Sequence, residues 1–167
     1  GWMKRYTEKL CEMYSNFLSP SMQCIIIRPA NIYGPGDKYD KRSHVLPATI
    51  MKVVNQDKPI EVWGDGKDIR DFIYVDDVVD ATILAGEHNV EHNGDVFNVA
   101  SGDCVSINEI AFSICGTDKK IKRLPAKPEA TFVCGNISKI KRVLKWKPKT
   151  DVLPVPAPPR VSLAVFK

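Results

Sequence analysis

Along this chain the spacing of apolar residues switches repeatedly between two periods, and that switching narrows the possible folds more than any single motif. Tyr6, Leu10, Met13, Tyr14 and Phe17 follow the rhythm of one helical face, closing before Ser19-Pro20. Cys24-Ile25-Ile26-Ile27 is a continuous apolar run, suited to a strand covered on both faces, as in a parallel sheet. Asn31 to Arg42 is rich in turn formers, and Pro47 sits near the start of a helix carrying Ala48, Ile50, Met51 and Val54. Ile60 to Trp63 alternates, Gly64-Asp65-Gly66 supplies a turn, and Phe72 to Val75 is a second strand. Asp76-Asp77 is placed to cap the next helix, whose apolar side is Val78, Val79, Ala81, Thr82 and Leu84. Val96 to Val99 is another strand. Ser106-Ile107-Asn108-Glu109 is a capping box opening a helix that stops at Gly116, and a last helix runs from Ser138 to about Leu144. Strands alternating with helices predict an α/β fold with a parallel sheet.

Composition removes several classes of function. The chain has 167 residues, 44% hydrophobic and 26% charged, the balance of a folded globular protein. No apolar run approaches the ~20 residues that span a membrane. No basic-then-apolar leader is present, so a cytoplasmic protein is expected. The net charge of +4, with scattered lysines, argues against a dedicated nucleic-acid binder. Five cysteines form an odd set without a C-x-x-C pair, so reduced thiols are expected rather than a disulfide framework or a zinc site. His88 and His92 stand four apart in a polar stretch that reads as a solvated loop; no third metal ligand accompanies them, and no metal is expected.

Two segments hold candidate chemistry. Gly34-Pro35-Gly36 is not a dinucleotide loop, which needs G-x-G-x-x-G leading straight into a helix. With a proline between the glycines it is a turn. Arg28-Pro29-Ala30-Asn31-Ile32-Tyr33 lies at the carboxyl end of the isoleucine strand, where open α/β sheets bind ligands. Asn31 there is either a turn former or a ligand donor. The second segment, Val62 to Asp77, read alone, is a hairpin with a salt-bridged Arg70 and a helix cap.

Taken in order, four stretches are far more specific. They are Arg28 to Gly36, Trp63 to Asp77 with its central Arg70-Asp71-Phe72, Phe97 to Gly102, and Ser138-Lys139-Ile140-Lys141 followed by Leu144, Trp146 and Pro148. Together they resemble the extended short-chain dehydrogenase/reductase family, the nucleotide-sugar epimerases, dehydratases and reductases. The resemblance implies an α/β fold: residues 1–150 form the C-terminal part of an NAD(P)-binding Rossmann fold with the smaller substrate-binding domain. Residues 151–167, with four prolines, then form an irregular tail.

Members of that family carry Y-x-x-x-K on a long helix. Lys4 matches the lysine, and the catalytic tyrosine is then expected one residue before Gly1. An ammonium four residues along a helix shares the phenol's face and favours its ionised form. Read alone, Lys4 is an exposed helix lysine.

The resemblance further implies that Lys4 and Pro29, Ala30, Asn31 and Ile32, with His44, meet the NADP or NAD cofactor. His44-Val45-Leu46-Pro47-Ala48 is similar to a segment of the GDP-L-fucose synthase branch, in which a histidine acts as proton donor during epimerisation. That branch makes a GDP-4-keto-6-deoxymannose epimerase/reductase the first expectation. A UDP-hexose 4-epimerase, a dTDP-glucose 4,6-dehydratase and a non-catalytic remnant are the alternatives. Asn31, Lys52, Trp63 and Arg70 match nucleotide-sugar contacts, with the cations on the diphosphate and the indole stacking. A homodimer is implied at full length, and the chain alone is expected to be inactive. Lys145 departs from the pattern, standing where the family often has a helix-ending glycine.

Overall fold

The structure is a computed structural model that describes residues 1–40, 43–54, 59–88, 94–115, 120–126, 128 and 131–153. In chain order its elements are α1 (Trp2–Asn16), β1 (Ile25–Pro29), β2 (Asn31–Tyr33), α2 (Val45–Val54), β3 (Ile60–Trp63), β4 (Ile69–Tyr74), α3 (Val75–Glu87), β5 (Asp95–Val99), β6 (Cys104–Ser106), α4 (Ile107–Cys115), β7 (Ile121–Leu124), β8 (Phe132–Val133) and α5 (Ser138–Val143). They divide between two compact units: residues 1–34, 71–104 and 134–150 form the first, and 35–70, 105–133 and 151–167 the second. His92, the expected helix stop at Gly116 and the proline-rich stretch from Pro154 lie outside the described residues.

The first unit is built on parallel pairing. β1 runs beside β5 with Ile25 opposite Asp95 and Pro29 opposite Val99. β2 runs beside β4 with Asn31 opposite Phe72 and Tyr33 opposite Tyr74. Ile73, Phe97, Val99, Ile140 and Trp146 form its core with Ala81 and Ala85. A side chain as fully enclosed as Phe97 or Ile140 contributes about 1.5–3 kcal/mol through lost water contact.

Four details differ from the sequence reading. Ile25 to Ile27 are half-buried rather than covered on both faces. Along α1 and just after it the apolar stripe, Leu10 excepted, points outward, with Phe17 77% exposed and Tyr6, Met13 and Tyr14 also exposed. The helix faces inward instead through Glu8, Leu10, Cys11 and Ser15. Glu8 explains the orientation: its two oxygens each accept an N–H of Arg28 on β1 at 2.7 Å, and Arg5 adds a third bond. The Arg28 hydrogen bond holds the Glu8 carboxyl below the usual carboxylate range and raises Arg28 in turn. Burial, with Cys24 alongside, pushes the Cys11 thiol up.

On α3 the inward side is Asp77, Val78, Ala81 and Ala85, while Val79 and Leu84 are exposed. Asp77 is no simple cap. Buried at the helix start, it accepts backbone N–H bonds from Lys149 at 2.9 Å and Thr150 at 3.1 Å. The Lys149 ammonium meets Asp80, which raises its proton affinity. After α5 the chain turns through Lys145 at φ 54°, the left-handed conformation expected at a glycine-preferring position.

In the second unit β3 runs parallel to β7, with Ile60 opposite Ile121 and Trp63 opposite Leu124. Helices α2 and α4 pack on each other and on β3. The expected capping box is present: Ser106 N–H donates to Glu109 Oε2 at 2.7 Å, and Glu109 N–H donates to Ser106 Oγ at 3.1 Å. The backbone N–H of Ser106 holds the Glu109 carboxyl below its ordinary range.

The hairpin reading of Val62 to Asp77 is overturned, because β3 pairs with β7 while β4 pairs with β2 and β8. The start of α4 grips the intervening turn. Asn108 donates to the carbonyls of Gly66 and Asp65, each at 3.0 Å, and Gly66 (φ 72°) leaves no room for a side chain: a Cβ would lie 2.1 Å from Asn108 Oδ1. Among the described residues, no helix is long and apolar enough to cross a membrane.

Candidate functional site

In the first unit, parallel pairing brings the carboxyl ends of β1 and β2 into the stretch Pro29 to Tyr33. Ala30 is half-buried and donates its N–H to Val99 at 2.9 Å, fixing the backbone. Pro29, Asn31 and Ile32 are exposed. Asn31 donates from its side-chain amide to the Asp71 carbonyl at 2.7 Å, a bond that ties β2 to β4. Lys4, one turn into α1, is exposed and has no ion pair among the described residues.

The remaining candidates belong to the second unit. His44 is exposed immediately before α2, and its carbonyl accepts the first helical N–H, from Ala48, at 2.9 Å. Lys52 reaches from α2 to the Glu61 carbonyl on β3 at 2.8 Å. Trp63, 48% exposed, ends β3. Arg70 opposes Val133 of β8; its guanidinium donates to the Ile69 carbonyl at 2.9 Å and lies 3.6 Å from Asp68. Its side chain is mostly covered, so the guanidinium is held in place rather than swinging freely.

Sequence reasoning missed Asp71. It is among the most buried residues, and both carboxylate oxygens act as acceptors. Oδ1 takes the Ser101 N–H at 2.9 Å and the Ser101 hydroxyl at 2.7 Å; Oδ2 takes the N–H of Gly135 at 3.1 Å and of Gly102 at 3.3 Å. Gly135 is glycine because a Cβ there would lie 2.4 Å from that of Ala100. The available signal was an acidic residue inside the apolar strand Ile69–Tyr74.

The expectation of reduced thiols is likewise overturned at one pair. Cys104 and Cys134, 30 residues apart, form a disulfide beside Asp71, while Cys11 and Cys24 are free. Sequence spacing hid a pair that two loops converging on one carboxylate bring together. Asp71 and the two sulfurs lie within 4.8 Å. The carboxylate oxygens are already filled by N–H and O–H donors and the sulfurs are joined, so the cluster holds loops rather than an ion.

Parallel strands followed by helices, with exposed polar residues at strand ends, define an α/β protein. The model of the NAD dependent epimerase/dehydratase family matches residues 1–100. A probable GDP-L-fucose synthase from Oryza sativa is 34% identical over 86% of this chain and 45% of its own length. The structure of a UDP-glucose 4-epimerase from Thermotoga maritima with UDP-glucose superposes with TM-score 0.79 at 26% identity, over 88% of this chain and 47% of that one. A Bacillus cereus UDP-glucuronic acid 4-epimerase in complex with UDP-glucuronic acid and NAD gives 0.73 at 28%, over 86% and 45%. The chain therefore belongs to the NAD dependent epimerase/dehydratase family, and it spans about half the length of the curated relatives it matches.

The chemistry present fits one end of a dinucleotide. An unpaired ammonium at Lys4 suits ribose hydroxyls, and the exposed hydrocarbon of Pro29 and Ile32 suits a nicotinamide ring. For the pyrophosphate end no loop of this kind is found among the described residues: Gly34-Pro35-Gly36 is a turn, and the next helix begins only at Val45.

Proposed function

We propose that this chain is the substrate-side part of an NAD(P)-dependent nucleotide-sugar epimerase/reductase, acting on a GDP-4-keto-6-deoxy sugar as GDP-L-fucose synthases do. The observation that carries this reading is His44: its backbone is anchored by Ala48, and its imidazole is exposed at the start of α2. An accessible imidazole at a fixed backbone position can deliver a proton to a sugar carbon. NADP or NAD, when bound, accepts and returns the hydride.

Lys4 holds the nicotinamide ribose and tunes a tyrosine supplied by the preceding segment, and Pro29 to Ile32 line the ring. Arg70 and Lys52 hold the diphosphate, Trp63 stacks, and Asn31 braces the floor through Asp71. The outward apolar stripe of α1 supports pairing of two copies at full length. The likeness to UDP-glucose 4-epimerase favours a second reading, a UDP-hexose 4-epimerase that needs no His44.

Two variants of the full-length enzyme separate these readings. Arg70→Ala is expected to raise KM about 10- to 150-fold, the loss of a charge-assisted contact. His44→Asn is expected to slow solvent-deuterium incorporation beside the sugar carbonyl about 10²–10⁴-fold while substrate still binds. Unchanged exchange in His44→Asn would remove the fucose-synthase-like role of His44 and shift the choice to an epimerase or dehydratase that needs no such histidine. The 167-residue chain alone is expected to show no turnover and no tight NAD(P)H binding. Measurable turnover of any nucleotide sugar by it would refute the division of labour.

A further inference from the structure

The pair beside Asp71 has no part in the proposed chemistry, yet it is built asymmetrically. Cys134 is exposed, whereas Cys104 is half-buried with its sulfur 3.6 Å from Asp71 Oδ2. That oxygen is also held by the N–H groups of Gly102 and Gly135, the neighbours of the two loops' cysteines, so the carboxylate stays beside Cys104. We propose that Cys104 and Cys134 are a reversible thiol–disulfide exchange site for a small disulfide of the glutathione class, with Cys134 the sulfur that enters exchange and Cys104 the one that resolves it.

The asymmetry follows from charge. The thiolate is the nucleophile in exchange, and a fixed carboxylate opposes a second negative charge on the Cys104 sulfur. The exposed Cys134 thiolate therefore attacks the small disulfide, forming a mixed disulfide and expelling one small thiolate, which takes a proton from water. Cys104 then gives its proton to water and attacks Cys134 Sγ. The Cys134–small-molecule bond breaks and the second small thiolate leaves, taking a proton from water. The protein loses two electrons, and the small disulfide gains them as two thiols.

Both loops are attached to Asp71 through N–H bonds that involve neither sulfur. Cys134 directly follows Val133, whose strand pairs with Arg70.

The test uses the purified 167-residue chain, reduced and then exposed to glutathione disulfide, with free thiols alkylated and peptides mapped by mass. The wild type is expected to give a linked Cys104–Cys134 peptide pair that dithiothreitol reopens. Cys104→Ser is expected to retain one glutathione on Cys134, and Cys134→Ser to gain one on Cys104 at least about tenfold more slowly. Limited alkylation of the reduced wild type needs no variant and is expected to mark Cys134 before Cys104. Absence of the linked pair from the folded wild-type chain, or labelling of Cys104 as fast as Cys134, would overturn the proposal.

Discussion

The two units hold together by different chemistry. Among the described residues, the first buries two carboxylates, Asp71 and Asp77, while the polar residue buried in the second is Thr49. Asp71 and Asp77 collect backbone N–H groups from segments 30 to 73 residues away. The second unit is held by neutral bonds and surface pairs instead: its capping box spans three residues, Thr49 bonds the Val45 carbonyl four residues back, and Asn108 reaches the Asp65 carbonyl 43 residues away. His44, Lys52, Trp63 and Arg70 sit on this second frame. Charge-assisted bonds from distant loops brace the first unit through buried carboxylates, whereas the second presents its side chains from strand and helix ends.

The largest effect that separates the units is expected at Asp71. Asp71→Ala leaves the N–H groups of Ser101, Gly102 and Gly135 without their acceptor, a loss of about 3–5 kcal/mol. Urea unfolding measures it, and hydrogen exchange at Ser101, Gly102 and Gly135 should accelerate. Wild-type stability in Asp71→Ala would erase the contrast drawn above.

A smaller loss is expected in the second unit. Ser106→Ala removes one half of the capping box and should lower stability by about 1 kcal/mol. Glu109→Ala removes the other half and adds a dependence on pH. Because the folded Glu109 carboxyl lies below its ordinary range, its contribution is complete above that range and disappears as pH falls through the folded value. The gap between wild type and Glu109→Ala should therefore narrow on acidification, and a gap that widens in acid would contradict the cap. Glu109 is exposed, so the effect stays well below that of Asp71.

The smallest change expected is a gain. Lys145 occupies the left-handed region at φ 54°, where a side chain is strained. Lys145→Gly should raise thermal stability by about 0.5–1 kcal/mol, the relief exceeding the extra chain entropy of glycine. A loss on that substitution would mean that the lysine side chain contributes a contact worth more than the strain.

What was legible beforehand came from interactions within a few residues. The start of α4, the bounds of α5, the Gly34 and Gly64 turns, Pro47 early in α2 and the parallel class of the sheet follow from capping, backbone freedom and apolar period, which act locally. The ordered motifs carried the family for the same reason: each is a short stretch whose residues are read side by side.

Tertiary structure alone decided which partners distant residues meet. Nothing near Asp71 in sequence announces Ser101 and Gly135, nothing near Asp77 announces Lys149, and Cys104 gives no sign of Cys134. The outward turn of the α1 stripe depends on Glu8 finding Arg28 across 20 residues. Periodicity along a chain records which faces are apolar. Which face is covered, and which buried charge is satisfied, depends on segments that approach only after the sheet has formed, so those assignments belong to the fold.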